Sequence, residues 1–351
     1  MKDFNYEFLT NPKIFEDNTL EPHTNLRTDK PYCFEGKNPT AIYLNGEWKF
    51  NYSERQDDFC GFESNEFDVS DWGKITVPGE IELCTNFREP YYINAGFTFN
   101  GREKLEQPNI PDDIPTGYYV YDFKLPASWC KTERKVICFQ GVETAFAVYV
   151  NGQYVGYSED SFTPAEFDIT DFVQKGKNRL AVKVFRYSTA TWLEDQDFWR
   201  LFGIFRDVVV YKTAPVYVQD FHLKYNIQND YKDVCAQLNV SVENTTESEV
   251  EYTFRASLGD EFTKELTVQI PAKSIETFQI PFELNNVKLW SCEQPNLYTL
   301  TIKAKFEEIR YEVGFKEVKI DGLKVYINGE VLKIHGVNRH EWSAEGGRVI
   351  T

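Results

Sequence analysis

Short strand-like segments recur along most of this 351-residue chain, and their spacing constrains its fold more than any other feature. Between Gly117 and Lys212 turn residues separate these segments, and no long stretch with helical periodicity interrupts them. Closely spaced short strands are typical of antiparallel sandwiches, and here they favour a jelly roll. The segments are GYYVYDFKL, KVICFQGV, AFAVYVNGQYVGYSE, AEFDITDFV, NRLAVKVFRY and GIFRDVVVYK.

A second β-rich region follows Thr213-Ala214-Pro215, which has the composition of a linker. It contains seven strand-like segments, from VQDFHLKYNI to RYEVGFKEVKI. Seven strands in roughly 100 residues is the count expected of an immunoglobulin-like sandwich. The chain is therefore predicted to be all-β for most of its length. The predicted parts are an N-terminal arm (1–40), a jelly roll (41–214) and an immunoglobulin-like sandwich (215–319).

Three Asn-Gly pairs stand between strand-like segments and predict two-residue hairpin turns. They are Asn45-Gly46, Asn151-Gly152 and Asn328-Gly329.

Composition and charge exclude several classes of function. The chain is 42% hydrophobic and 16% aromatic, which argues against global disorder. Its formal net charge is −17 and it has no basic block, so no nucleic-acid partner is expected. A P-loop and a GxGxxG before a helix are both absent from the sequence, which argues against nucleotide chemistry.

The N-terminal sequence, the lack of a long apolar run and the cysteine pattern predict a cytoplasmic protein without a membrane partner. The N-terminus has no apolar signal region, and no apolar run approaches the roughly 18 residues of a membrane span. The seven cysteines are odd in number and scattered without CxxC spacing. They are interpreted as reduced thiols, with no zinc site.

The stretch from Thr191 to Asp207, TWLEDQDFWRLFGIFRD, follows neither helical nor strand periodicity. It is interpreted as an irregular loop in which aromatic rings flank three carboxylates: Glu194, Asp195 and Asp197. A sugar suits this chemistry, because rings pack on its C–H faces and carboxylates accept from its hydroxyls. Two alternatives stay open: a solvated loop in which the carboxylates pair with arginines, and rings (Trp192, Trp199) that belong to the core.

The last 32 residues, 320–351, differ from the rest. A short apolar segment ends in the polar run Asn338-Arg339-His340-Glu341. Such a run resembles the C-terminal edge of a (β/α)8-barrel strand, where catalytic groups gather. Residues 320–351 are therefore predicted to be the first strands of a catalytic barrel that the sequence leaves truncated.

Six motifs follow one another in the chain: PTGYY, VNGQYVGYSEDSFTPAEFD, LEDQDFWRLFGIFRDV, VKLWSCEQPNLYTL, EVGFKEVKI and INGEVLKIHGVNRHE. Their order resembles the bacterial β-galactosidases of glycoside hydrolase family 2, over roughly residues 40 to 351. The resemblance implies a jelly-roll sugar-binding domain, an immunoglobulin-like domain and then a (β/α)8 catalytic barrel.

This resemblance also implies an activity: retaining hydrolysis of terminal β-galactosyl residues, such as that of lactose, by two glutamates. Both glutamates, and the ligands of the catalytic Mg²⁺, would lie beyond Thr351. The 351-residue chain alone is therefore expected to be inactive. The implied full-length enzyme is a homo-oligomer that uses Mg²⁺ and Na⁺ and takes a β-galactoside as its substrate.

Three positions carry over from the family. Asp197 would contact the galactosyl hydroxyls and ligate Na⁺ as part of a shared site. Asn94, in PYYINAGF, would reach the same pocket, and His340 would bind there and support the transition state. Trp342-Ser343 departs from the pattern of the family's best-known members, in which a second and a third histidine directly follow the NRHE run. Glu194 and Asp195 are expected to pair with Arg200, Arg206 or Arg186.

An alternative is a non-catalytic carbohydrate-binding or assembly fragment of a β-glucuronidase-like or mannosidase-like relative, which would share both sandwiches. The LEDQDFWR loop favours the β-galactosidases, because it matches them more closely than the relatives.

Overall fold

The computed structural model divides into two compact units. The first, called the jelly-roll unit, consists of residues 1–21, 34–212 and 340–351, and the second, called the immunoglobulin-like unit, of residues 22–33 and 213–339. No helix among the described residues is both long and apolar enough to cross a membrane. The structure describes residues 4–24, 40–94, 96–97, 99, 105–129, 131–194 and 197–350.

The described residues up to position 213 form fifteen strands, three of them only two residues long. They are β1 (Glu16–Asp17), β2 (Ala41–Tyr43), β3 (Gly46–Ser53), β4 (Gly73–Val77), β5 (Tyr91–Ile93), β6 (Thr116–Lys124), β7 (Arg134–Phe139), β8 (Val142–Glu143), β9 (Ala145–Val150), β10 (Gln153–Ser158), β11 (Ala165–Asp168), β12 (Lys177–Phe185), β13 (Phe198–Arg200), β14 (Gly203–Ile204) and β15 (Val208–Thr213). The helical elements are the 3₁₀ helices Tyr6–Thr10 and Thr189–Trp192 and the single-turn helix α1 (Ile81–Cys84).

Two antiparallel sheets form the body of the jelly-roll unit and confirm the predicted fold. One has the order β1-β10-β9-β12-β6-β3-β4, and the other β11-β7-β15-β2. The sequence of strand β9 is a continuous apolar run because both faces of the strand are buried. Phe146 and Val148 pack in the core with the four-stranded sheet, while Ala147 and Tyr149 pack in a second core on the opposite face.

Described residues near the N-terminus pack into that second core. Phe4 and Leu9 are buried in it, and Asn5 caps the first 3₁₀ helix by accepting from the Glu7 N–H at 3.0 Å. Strand β1 then pairs with β10. The remainder of the predicted arm, residues 25–39, lies outside the described residues.

Two of the three predicted Asn-Gly hairpins are confirmed and one is wrong. Asn151-Gly152 joins β9 to β10, with both residues at positive φ. Asn45-Gly46 instead connects the two sheets, because β2 pairs with β15 whereas β3 pairs with β4 and β6. The Asn45 side chain is used for another purpose: its Oδ1 accepts from the Val208 N–H at 3.1 Å and so fixes the start of β15.

Ten strands follow in the immunoglobulin-like unit. They are β16 (Val216–Gln228), β17 (Asp233–Asn244), β18 (Val250–Leu258), β19 (Phe262–Ile270), β20 (Ser274–Leu284), β21 (Tyr298–Ala304), β22 (Glu308–Val313), β23 (Val318–Asp321), β24 (Lys324–Ile327) and β25 (Glu330–Val331). The sheets β16-β17-β20 and β19-β18-β21-β22 enclose one apolar core, which confirms the immunoglobulin-like sandwich.

Strands β23, β24 and β25 form a small antiparallel sheet, and Asn328-Gly329 makes the predicted hairpin between the last two. From Leu332 to Ile350 the chain has no strand beyond an isolated bridge between Ser343 and Gly347. The start of a barrel in residues 320–351 therefore stays a prediction.

Candidate functional site

The stretch from Thr191 to Asp207, called the acidic stretch, contains more regular secondary structure than its sequence predicts. Ser188 caps the 3₁₀ helix Thr189–Trp192 in a capping box with Thr191. Beyond Asp197, strand β13 pairs with β5, and β14 pairs with β8. The stretch thus begins in a capped helix and ends in strands that pair with β5 and β8, while Asp195 lies outside the described residues.

Asp197 is exposed immediately before β13, and its carboxylate accepts a hydrogen bond from the Tyr92 hydroxyl. Tyr92 is the register partner of Trp199, so the tyrosine and the indole lie side by side, 5.8 Å apart at their centroids. This hydrogen bond to Asp197 is the main reason why the pKa of Tyr92 is raised. The arrangement holds one carboxylate beside two partly exposed rings.

The segment from His340 to Ile350 brings further groups to the same place. Arg348 anchors the segment: its Nη2 donates to the Trp199 carbonyl oxygen at 3.2 Å, and it pairs with Glu143. Its guanidinium lies 4.3 Å from the centre of the Phe198 ring. Burial lowers the pKa of Arg348 to about 10, although nearby carboxylates raise it.

Together these residues line an open cleft of about 650 Å³ in the jelly-roll unit. Asp197 and His340, two of the residues predicted from the sequence, meet in this cleft. Asn94 is exposed one residue beyond β5, and it is not one of the described residues that line the cleft. The lining consists of Tyr92, Phe162, Asp197, Phe198, Trp199, Phe205, Arg206, His340, Glu341, Trp342 and Arg348.

The two tryptophans of the acidic stretch have different roles. Trp192 packs 4.4 Å from Phe97 and 4.7 Å from Phe99 at the ring centroids, at the edge of the second core. Trp199 lines the cleft, is 40% exposed and stacks with Trp342 at 6.3 Å and 19°. Trp192 is therefore part of the core packing, whereas Trp199 lies open in the cleft and its use as a sugar platform stays a prediction.

Glu194 does not have the arginine partner expected from the sequence. Its carboxylate accepts from Ser161, at 2.9 Å from the backbone N–H and 2.6 Å from the hydroxyl. Burial raises the pKa of Glu194 to about 7, against these two hydrogen bonds, which lower it. Arg186, one of the expected partners, pairs with Glu82 instead, and both side chains are almost completely buried.

A further buried carboxyl, that of Glu80, lies beside the anchoring arginine. Glu80 is 1% exposed, and burial raises its pKa to about 7 while Arg348 lowers it. Gly347 runs directly over this carboxyl, since a Cβ there would overlap Glu80 Oε2. A buried carboxyl, that of Glu80, and the guanidinium of Arg348 therefore lie together beneath the turn at Gly347.

The donor set at Asp197 fits one ligand of a Na⁺ ion, which prefers oxygen, but not a whole site. Asp197 offers an exposed carboxylate of which one oxygen accepts from Tyr92. Among the described residues no group of three His, Cys, Asp or Glu side chains could hold a metal. The remaining ligands of such an ion would have to be carbonyl or hydroxyl oxygens or come from elsewhere.

Several cleft residues escaped the sequence analysis. Tyr92 lies two residues before Asn94 in a motif that was noted, and strand alternation would have placed both on one face. Trp342 differs from the residue of the best-known relatives, but the sequence alone gives it no role. Arg348 carries no sequence signal, because its partners Trp199 and Glu143 are distant in the chain.

Comparison with known families identifies the class of this protein. The family model described as "Glycosyl hydrolases family 2, sugar binding domain" matches residues 42–214, and "Glycosyl hydrolases family 2" matches residues 216–316. The chain therefore belongs to glycosyl hydrolases family 2.

Within this family the chain is similar to proteins named β-galactosidase. The relative from Clostridium acetobutylicum is 37% identical over 98% of this chain, which spans 39% of that protein. The β-galactosidase large subunit of Lactobacillus helveticus is 35% identical over 99% of this chain, which spans 58% of it. The chain thus resembles the N-terminal region of these longer proteins.

A solved structure supports the fold. The crystal structure of Bacteroides uniformis β-glucuronidase superposes with a TM-score of 0.72 and 20% identity, covering 89% of this chain and 36% of that one.

Proposed function

We propose that this chain is the N-terminal part of a retaining β-galactosidase that hydrolyses terminal β-D-galactosyl residues such as that of lactose. One observation carries the proposal: Asp197 and His340, which are 143 positions apart in the sequence, line the same open cleft. The family resemblance assigns both residues to a galactose pocket. The similarity to named β-galactosidases supports the choice of sugar.

Each residue has a distinct role in this proposal. The Asp197 carboxylate accepts from galactosyl hydroxyls and contributes one ligand to Na⁺, while Tyr92 holds it in place. His340 donates to a sugar hydroxyl and supports the transition state. Asn94, although it does not itself line the cleft, would reach the sugar from its position one residue beyond β5. Mg²⁺ would be held by residues outside this chain, and the complete protein would be a cytoplasmic homo-oligomer.

The 351-residue chain alone should not turn over substrate. Retaining hydrolysis needs two carboxyl groups about 5 Å apart across the scissile bond. The resemblance assigns both to later residues. Asp197 is committed to Tyr92 and the sugar hydroxyls, so it is not proposed as the nucleophile or the acid.

Binding of methyl β-galactoside to the chain tests the proposal, by backbone amide shifts in NMR. Shifts should appear at Asp197 and His340, and Asp197→Asn and His340→Gln should each weaken binding at least about tenfold, the usual loss for a charged or polar sugar contact. Asp171→Asn and His222→Gln are matched controls at exposed positions and should have no effect.

Three outcomes would contradict the proposal. Release of nitrophenol from a nitrophenyl β-galactoside by the purified chain would refute its inactivity. Equal or stronger binding of methyl β-glucuronide or methyl β-mannoside would favour the alternative of a fragment from a β-glucuronidase-like or mannosidase-like protein. If no sugar shifts the two amides, the cleft is not a sugar pocket in this chain.

A further inference from the structure

We propose that Trp342 determines specificity by packing against the group that is β-linked to the galactosyl unit, such as the second ring of lactose. This inference rests on the proposed function, because it takes the galactosyl unit to be bound at Asp197 and His340. It assigns a role to the position at which the sequence departs from the family pattern.

The contacts within the cleft place Trp342 beyond the galactosyl site. The Tyr92 hydroxyl binds Asp197, the Tyr92 ring contacts Trp199, and Trp199 in turn stacks on Trp342. Trp342 is thus the last member of a row of rings that begins at the carboxylate. A disaccharide whose first ring is held by Asp197 would extend its second ring along this row.

The exposure of the rings suits stacking on a sugar. Although Trp342 packs on Trp199, it remains 36% exposed, and Trp199 remains 40% exposed. An indole that is partly covered and partly open offers a flat apolar face to C–H groups at little entropic cost, because its rotamer is already fixed. The neighbouring polar groups, Glu341 and Arg206, also line the cleft and can meet hydroxyls at the rim.

The backbone around Trp342 is held independently of any ligand. The Ser343 N–H donates to the Gly347 carbonyl at 2.8 Å, and the Gly347 N–H donates back at 2.9 Å. Arg348 then fastens the turn to the Trp199 carbonyl. A ring on a turn that is preformed in this way can discriminate between ligands, whereas a ring on a loose chain would lose affinity on ordering.

The test uses the 351-residue chain labelled with 5-fluorotryptophan and followed by ¹⁹F NMR. The seven tryptophan resonances are assigned with single Trp→Phe variants. Lactose, titrated to its solubility limit, should shift the Trp342 resonance. Methyl β-galactoside, which lacks a second ring, should shift the Asp197 amide and leave the Trp342 resonance in place.

Variants give the second readout. Trp342→Ala should weaken lactose binding roughly three- to tenfold, the range for one aromatic contact, and leave methyl β-galactoside binding unchanged. Trp342→Phe should restore most of the lost affinity. Phe306→Ala, which removes a 74% exposed aromatic ring from the immunoglobulin-like unit, is the matched control and should change neither.

The outcomes separate the two proposals. If methyl β-galactoside shifts the Asp197 amide but lactose leaves Trp342 unmoved, the role of Trp342 is refuted and the galactose pocket stands. Equal weakening of both sugars by Trp342→Ala also refutes it. If neither sugar shifts the Asp197 amide, the proposed function fails and the role of Trp342 fails with it.

Discussion

The Arg348 guanidinium donates a hydrogen bond to the carbonyl oxygen of Trp199, 149 positions earlier in the chain. This bond joins the segment that carries His340 to the strand that follows Asp197. The same guanidinium lies over the Phe198 ring and pairs with Glu143, so three groups from two strands, β8 and β13, meet at one side chain. Arg348 therefore helps to hold the two predicted sugar-binding residues, Asp197 and His340, at one cleft.

Replacing Arg348 with leucine should release this segment locally. The variant keeps apolar bulk but loses the bond to Trp199 and leaves Glu143 without its buried partner. We expect the amides of Ser343 and Gly347, which close the turn, to exchange with solvent deuterium at least about tenfold faster, because losing one charge-assisted hydrogen bond costs 1.5–3 kcal/mol. Hydrogen exchange followed by NMR would measure it.

The control for this change is Arg255→Leu, which breaks an exposed pair with Glu265 at 2.8 Å in the immunoglobulin-like unit. It should leave exchange at Ser343 and Gly347 unchanged. Undiminished protection of both amides in Arg348→Leu would mean that the turn is held by other contacts.

The buried pair of Arg186 and Glu82 should be costly to break. Their side chains are 3% and 0% exposed, and Glu82 raises the pKa of Arg186 although burial alone would lower it. Glu82→Gln keeps the shape but leaves the guanidinium uncompensated, so the free energy of unfolding should fall by about 3–5 kcal/mol. Urea unfolding at neutral pH would measure the change.

Glu47→Gln is the matched control, because it neutralises a carboxylate whose pair with Lys74 is exposed. Its effect should not exceed about 1 kcal/mol. If Glu82→Gln and Glu47→Gln lower the free energy of unfolding by similar amounts, the buried pair is no more costly to break than the exposed one.

Glu80 should make stability depend on pH. Burial raises its folded pKa to about 7 from an ordinary value of 4.5, so the folded state holds the proton more tightly than the unfolded state. Stability should therefore fall as the pH rises from 4.5 to 7, by about 3 kcal/mol, and level off above that window. Glu80→Gln, neutral at every pH, should lose this contribution.

Measured across the window, the stability of Glu80→Gln relative to the native chain should rise with pH. The raised pKa of Glu194 acts with the same sign, but it is present in both proteins and cancels in the difference. Glu293→Gln, at an exposed position, should give a difference that does not vary with pH in this range. A constant difference for Glu80→Gln as well would mean that this carboxyl is ionised in the folded state at pH 5.

Local patterns in the sequence predicted the two sandwiches because strand alternation and turn chemistry act over a few residues. The buried runs of β9 and β12, and the turn at Asn151-Gly152, carry this signal directly. The pattern failed at Asn45-Gly46, where the same dipeptide connects two sheets. There the Asn45 side chain binds β15, a long-range contact that no local rule contains.

The candidate site was predictable only in part, for the same physical reason. Asp197 and His340 stand in recognisable motifs, and the structure places both on one cleft. Tyr92, Trp342 and Arg348 take their roles from pairings across the fold: a strand register, a ring stack and a bond to a distant carbonyl. Such pairings depend on which distant segments come together in the folded chain, and local residue spacing does not contain that information.

Gly347 should not tolerate a side chain, because the segment over Glu80 is packed too closely. A Cβ at Gly347 would overlap Glu80 Oε2 and come within 2.7 Å of Leu83 Cδ1, at a backbone φ of +60°. Gly322 offers a matched control, with φ at +57° and nothing within 4 Å of the added Cβ. Both alanine variants carry the strain of positive φ, about 1 kcal/mol, but only Gly347→Ala also adds the overlap.

We therefore expect Gly347→Ala to lose more stability than Gly322→Ala, and to weaken the contact between Trp199 and Trp342 by displacing the turn. Urea unfolding would give the first difference, and the ¹⁹F shift of Trp342 the second. Equal losses in the two variants, with an unchanged Trp342 resonance, would mean that the turn can move away from Glu80 without disturbing the cleft.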